Sequence, residues 1–100
     1  LAQQVRILLA QRLRFDPSAG GVADALGVSE RTLRRRLAAE GAGFQGLLDE
    51  VRASLSEGLL ATGRLSVAEV AERLGYAEAA SFIHAHRRWL GATPGGMVRA

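Results

Sequence analysis

The chain has 100 residues, 48% hydrophobic, with two prolines, no cysteine, and thirteen basic against ten acidic residues, for a net charge of +3. That size supports one compact domain, or two very small units sharing an element. The absence of cysteine excludes a disulfide framework, a thiolate metal site and a cysteine nucleophile, and no apolar run approaches the ~20 residues of a membrane helix.

Every basic residue is an arginine, and the pI of 11.0 leans toward anionic partners. Starting at Leu1 without a signal-peptide layout, the sequence is expected to be a piece of a longer protein.

Taken in order, the elements read as helix nearly throughout, because Ala, Leu, Arg and Glu dominate and no stretch alternates convincingly between apolar and polar. The expected fold is all-α with about seven helices. The first spans about Leu1 to Arg14, with Val5, Leu8, Leu9 and Leu13 along one side. Asp16, Pro17 and Ser18 break it and offer caps for a short second helix that Gly27 ends after Leu26. Gly20 and Gly21 stand in its first turn, where glycine costs up to about 1 kcal/mol against alanine, so this start is expected to fray.

Ser29 caps a third helix closed by Gly41 and Gly43. Phe44, Leu47, Leu48, Val51, Leu55 and Leu59 then recur at helical spacing and mark one long helix to about Ala61, weakened in its last turn by Gly58. Ser66 and Glu69 have the spacing of a capping box, in which each side chain satisfies the other's backbone amide. The fifth helix that they start ends at Gly75, a sixth runs from about Glu78 to Leu90 before Gly91, and Thr93-Pro94 opens a short seventh.

SAGGVADALGV, from Ser18, laid over SVAEVAERLGY, from Ser66, matches Ser, Val, Ala, Leu and Gly at a constant offset. Each copy is a short capped helix, a glycine turn and a more basic helix, the layout of a helix-turn-helix. The second helix of such a unit can lie in a DNA major groove. The expected organisation is a first unit at 1–43, a linker helix at 44–62 and a second unit at 63–100, homeodomain-like in architecture. At 1.5 Å per residue the linker is about 27 Å long, enough to hold two reading helices in a fixed relation.

On the third helix, Leu33 and Leu37 fall on one side while Arg31, Arg34, Arg35 and Ala38 fall on the other, with Arg36 on the flank. An arginine row is commonly just a solvated face. This one follows a serine cap and a glycine turn, and an arginine fork can donate two hydrogen bonds to O6 and N7 of guanine. On the sixth helix, Phe82, His86, Trp89 and Leu90 lie inward and Ala80, His84, Arg87 and Arg88 outward, with Ile83 at the margin. Ala79, Ala80 and Ile83 suit thymine methyls, His84 can donate to a base or phosphate, and Arg87 and Arg88 suit phosphates. This half is expected to specify sequence less sharply. His84 and His86 diverge by about 200° around a helix with no acidic or thiol partner nearby, so no metal site is expected. No nucleophile has a base at useful spacing, which argues against an enzyme. A helical module docking an acidic protein through the arginine face is the alternative to a DNA-binding one.

These residues resemble the DNA-binding domain of the AraC/XylS family of bacterial transcription regulators over essentially the whole chain. VADALGVSERTLRRRLAAEGAGFQGLLDEVR is similar to that family's first helix-turn-helix running into its linker helix. SVAEVAERLGYAEAASFIHAHRRWLGATPGGMVR carries its Gly-aromatic turn, Ser-Phe pair, basic-basic-aromatic tail and Gly-x-Thr-Pro ending. The closest likeness is to the subgroup with an arabinose-binding-type amino-terminal domain.

The resemblance implies base contacts from Arg31, Arg34, Arg35, Ala79, Ala80, Ile83 and His84. It implies phosphate contacts from Ser29, Thr32, Arg36, Ser81, Arg87 and Arg88. It also implies double-stranded DNA as partner, RNA polymerase as a further partner of the longer protein, no cofactor, a cytoplasmic location at the bacterial nucleoid, and a monomeric isolated domain. Four positions of the sixth helix depart from the family's pattern. The second reading helix has Ala80, Ile83 and His84 where polar residues or arginine are usual, and His86 replaces a core aromatic.

Overall fold

A computed structural model describes residues 1–90. Those residues form six helices and no strand: α1 (Ala2–Arg12), α2 (Ala19–Leu26), α3 (Glu30–Ala39), α4 (Phe44–Ala61), α5 (Val67–Arg73) and α6 (Ala79–Leu90). The seventh helix expected at Thr93-Pro94 lies outside the described residues. The chain divides within α4 into two units, Leu1–Val51 and Arg52 onward.

In the first unit, α2 and α3 form the helical hairpin and α1 and the start of α4 complete the core. Val5, Leu9, Leu13, Val22, Leu33, Leu37, Phe44 and Leu47 are buried there. Leu8, expected on the same stripe of α1, is only half-buried. Ser18 accepts the Gly21 amide at 3.0 Å and Ser29 accepts the Thr32 amide at 3.0 Å, so each helix begins with one of its free N–H groups satisfied. Gly27 closes α2 with φ of 72° and Gly75 takes φ of 87° at the matching place in the second unit. A side chain resists that left-handed conformation, so both turns call for glycine.

The two glycines at the α2 start have different surroundings. A β-carbon on Gly21 would lie 2.7 Å from the Asp16 carboxyl carbon and 2.9 Å from an Arg12 guanidinium nitrogen. Gly21 is therefore the gap through which Asp16 reaches both Ser18 and Arg12, the latter at 3.5 Å. Beside Gly20 the nearest such atom is 3.9 Å away, an ordinary contact. Gly20→Ala is thus expected to stabilise the domain by about 0.4–1 kcal/mol, through helix propensity and a less disordered unfolded chain. Gly21→Ala must push aside the partly exposed ends of Asp16 and Arg12 and is expected to gain less than Gly20→Ala. Thermal melts of the two variants side by side check that order.

In the second unit, Ser56, Leu60, Val70, Leu74, Phe82, Ala85 and His86 are buried. On α4 this corrects the expected stripe: Leu55 is 40% exposed and Leu59 only half-buried, while Ser56 and Leu60 face inward. Each unit buries its own face of α4, so one uninterrupted leucine stripe does not describe the helix. The buried Ser56 hydroxyl donates to the Ala53 carbonyl one turn back, at 2.8 Å, and so carries no unmet polar group into the core.

The capping box of α5 is formed. The Ser66 hydroxyl accepts the Glu69 amide at 3.1 Å and the Glu69 carboxylate accepts the Ser66 amide at 2.9 Å. That hydrogen bond from Ser66 holds the Glu69 carboxyl below the ordinary glutamate value of 4.5. Because the folded value lies below the unfolded one, the contribution is complete above pH 4.5 and disappears as the pH falls through the folded value. The melting temperature should hold from pH 7 to about 5 and then decline, with a shallower decline in Glu69→Gln than in the parent. Equal acid sensitivity in the two proteins would rule out the ionised Glu69 carboxylate as a contributor to that decline.

Candidate nucleic-acid interface

The outward face of α3 follows from its inward one. Leu33 and Leu37 are fully buried, and at 100° per residue this turns Arg31, Arg34, Arg35 and Arg36 to the surface, where all four are exposed. Ser29 at the cap also donates its hydroxyl to Thr32 Oγ1 at 2.9 Å, so these two hydroxyls are engaged with each other at the helix start.

Arg34 is held from two sides. Its guanidinium lies 3.8 Å from the Glu30 carboxylate, one turn earlier, and 5.8 Å from the centre of the Phe44 ring, which is itself buried. Exposed pairs of this kind contribute little to stability, and their effect here is to narrow the orientations of Arg34. Arg31, Arg35 and Arg36 have no ion-pair partner among the described residues. Their forks are available to external acceptors.

Burying Phe82, Ala85 and His86 on α6 turns Ala80, Ser81, His84, Arg87 and Arg88 outward. Ala79 and Ile83 are half-buried at the margin of that face. The buried His86 meets the Phe82 ring edge-on at 5.8 Å. Trp89 is half-buried.

The structure thus gathers the expected residues into two sets, one on α3 and its cap, the other on α6. The first set offers four guanidinium groups and two hydroxyls, a surface for phosphate oxygens and guanine edges. The second offers methyl groups in its first turns and cationic donors near its carboxy-terminal end. Two contributors are absent from the residues expected at the site. Glu30 was discoverable from its i,i+4 spacing to Arg34. Phe44 shows its role only through its contact with Arg34 on the preceding helix.

A family whose description is "Helix-turn-helix domain" matches residues 22–100. The chain belongs to the AraC family. Among AraC-family relatives, the HTH-type transcriptional regulator Rv1395 of Mycobacterium tuberculosis is 46% identical over 78 residues, which are 78% of this chain and 23% of that protein. The crystal structure of the transcriptional regulator CdpR from Pseudomonas aeruginosa is similar with a TM-score of 0.90 and 45% identity, over 99% of this chain and 31% of that one. The DNA-binding domain of AdpA, solved in complex with a target DNA, is similar with a TM-score of 0.82 and 27% identity, over 98% of this chain and 89% of that one. The chain spans about a quarter of the length of Rv1395 and less than a third of CdpR. Rv1395 and CdpR are described as transcriptional regulators, not as enzymes.

Proposed function

We propose that this AraC-family chain binds double-stranded DNA as part of a bacterial transcription regulator, with α3 and α6 as its two recognition helices in adjacent major-groove segments. The observation that carries the reading is the surface of α3, where four exposed arginines surround a helix anchored by a fully buried leucine pair, Arg31 and Arg35 opposite the pair and Arg34 and Arg36 on the flanks. The DNA-bound AdpA domain, similar over nearly the whole chain, supports it.

In this reading Arg31, Arg34 and Arg35 contact base edges, and Ser29, Thr32 and Arg36 contact phosphates. On α6, Ala79, Ala80, Ile83 and His84 meet bases through methyl contact and one imidazole donor, while Ser81, Arg87 and Arg88 meet the backbone. The reading extends to a longer protein that carries this domain at its carboxy-terminal end behind an arabinose-binding-type effector domain, works at the nucleoid and engages RNA polymerase. The isolated domain is a monomer, because both reading units are in one chain.

Selection from a random duplex library at near-physiological salt, where nonspecific phosphate binding is suppressed, tests this. The expected product is a motif with a guanine-containing half and a weaker half about one helical turn away. Retention of an acidic polypeptide without any enrichment among duplexes would overturn the reading in favour of a protein-docking module.

A further inference from the structure

We propose that Arg52 is a positioning residue for recognition helix α6, acting through the turn that joins α5 to it. Its Nε donates to the Leu74 carbonyl at 3.0 Å, and its guanidinium carbon lies 4.2 Å from the centre of the Tyr76 ring. Leu74 is the carboxy-terminal cap of α5, so the carbonyl it offers belongs to the electronegative end of that helix, where a cation is favoured. Tyr76 in turn lies 5.8 Å from Phe82, the fully buried ring in the first turns of α6. One half-buried side chain from α4 thus grips both sides of Gly75 and passes through two rings to the helix that carries Ala80 and His84.

The first unit has no counterpart. The internal repeat places Val28 where Tyr76 stands, and a valine offers no ring for a cation. Both turns have the same backbone bonds, Val28 N–H to the Ala23 carbonyl and Tyr76 N–H to the Ala71 carbonyl, each at 3.0 Å. The guanidinium is therefore an addition to the second turn. The two reading faces explain the difference. α3 carries long flexible arginines that tolerate small displacements of the helix, whereas the methyl groups in the first turns of α6 cannot reach and depend on placement within about half an ångström.

The inference rests on α6 being a reading helix, so its test has one arm without DNA. In the free domain, hydrogen exchange of backbone amides is compared between parent, Arg52→Ala and Arg52→Lys. Arg52→Ala should accelerate exchange roughly threefold to tenfold at Tyr76 and in the first turns of α6, as expected from losing a cation–ring contact, with α3 unchanged. Arg52→Lys should restore part of the protection.

In the second arm, binding is measured to the selected duplex and to versions altered in one half. Arg52→Ala should lose discrimination at the weaker half by the same several-fold factor, while keeping discrimination at the guanine half and the same affinity for random DNA. Unchanged exchange at Tyr76 and α6, or equal losses at both halves, would overturn the role of Arg52. Altered exchange in a domain whose parent never discriminates at the weaker half would instead sink the assignment of α6, leaving the contact itself intact.

Discussion

Phe82→Ala is expected to lower folding stability by about 3–5 kcal/mol, the largest loss from any one substitution in the second unit. The ring is fully buried, packs against Tyr76 and His86, and stands on the inward face of α6 opposite Ala80 and His84. Its removal leaves a cavity that the two neighbouring rings cannot close without shifting, and the cost sets in against a total of only about 5–15 kcal/mol for a typical domain. A urea titration followed by circular dichroism should show a sharply lower midpoint for this variant. A midpoint within error of the parent would mean that the ring does not anchor α6.

Arg31→Ala and Arg35→Ala are expected to reduce preference at one or two bases by about 1–3 kcal/mol, which is roughly fivefold to 150-fold, while affinity for random duplex falls much less. Both forks point away from the core and neither is ion-paired among the described residues. Arg87→Ala should behave differently, weakening binding to every duplex alike and reducing the salt slope by about 1, as for loss of one phosphate contact. Fluorescence anisotropy with selected and scrambled duplexes across a salt series separates the two patterns. Loss of the same factor on both duplexes from Arg31→Ala would reassign that residue to the backbone.

Local signals in the sequence located most of the helices. Ser29 and Ser66 cap as their spacing to the next amides dictates, and α4 begins at Phe44 and ends at Ala61 as its leucines suggest. The leucine–arginine sorting on α3 was equally legible, because a period of 3.6 is a property of the helix itself. Burial on α4 was not. The stripe through Leu55 and Leu59 assumes one partner along the whole helix, yet the two ends serve different cores, and Ser56 takes an inward place that no hydropathy pattern would give it.

Gly21 and Arg52 were opaque for a related reason. The space at Gly21 is defined by Asp16 and Arg12 coming from the preceding turn and helix, and the carbonyl held by Arg52 lies 22 residues away. Such contacts depend on how elements meet, which periodicity within one element does not contain. Arg34 shows the intermediate case, with one restraint four residues away on its own helix and another on the next.

The outward face of α3 has a consequence for control. Its positive charge comes from guanidinium groups alone, and the whole chain has no lysine. Guanidinium stays protonated at any pH a cell reaches, has no amine for an acetyltransferase to neutralise, and keeps its charge even when methylated. Neither acidification nor acetyl-group metabolism can therefore turn down its long-range pull on a polyanion. Of pH, acetylation and salt, only the concentration of competing ions weakens that pull.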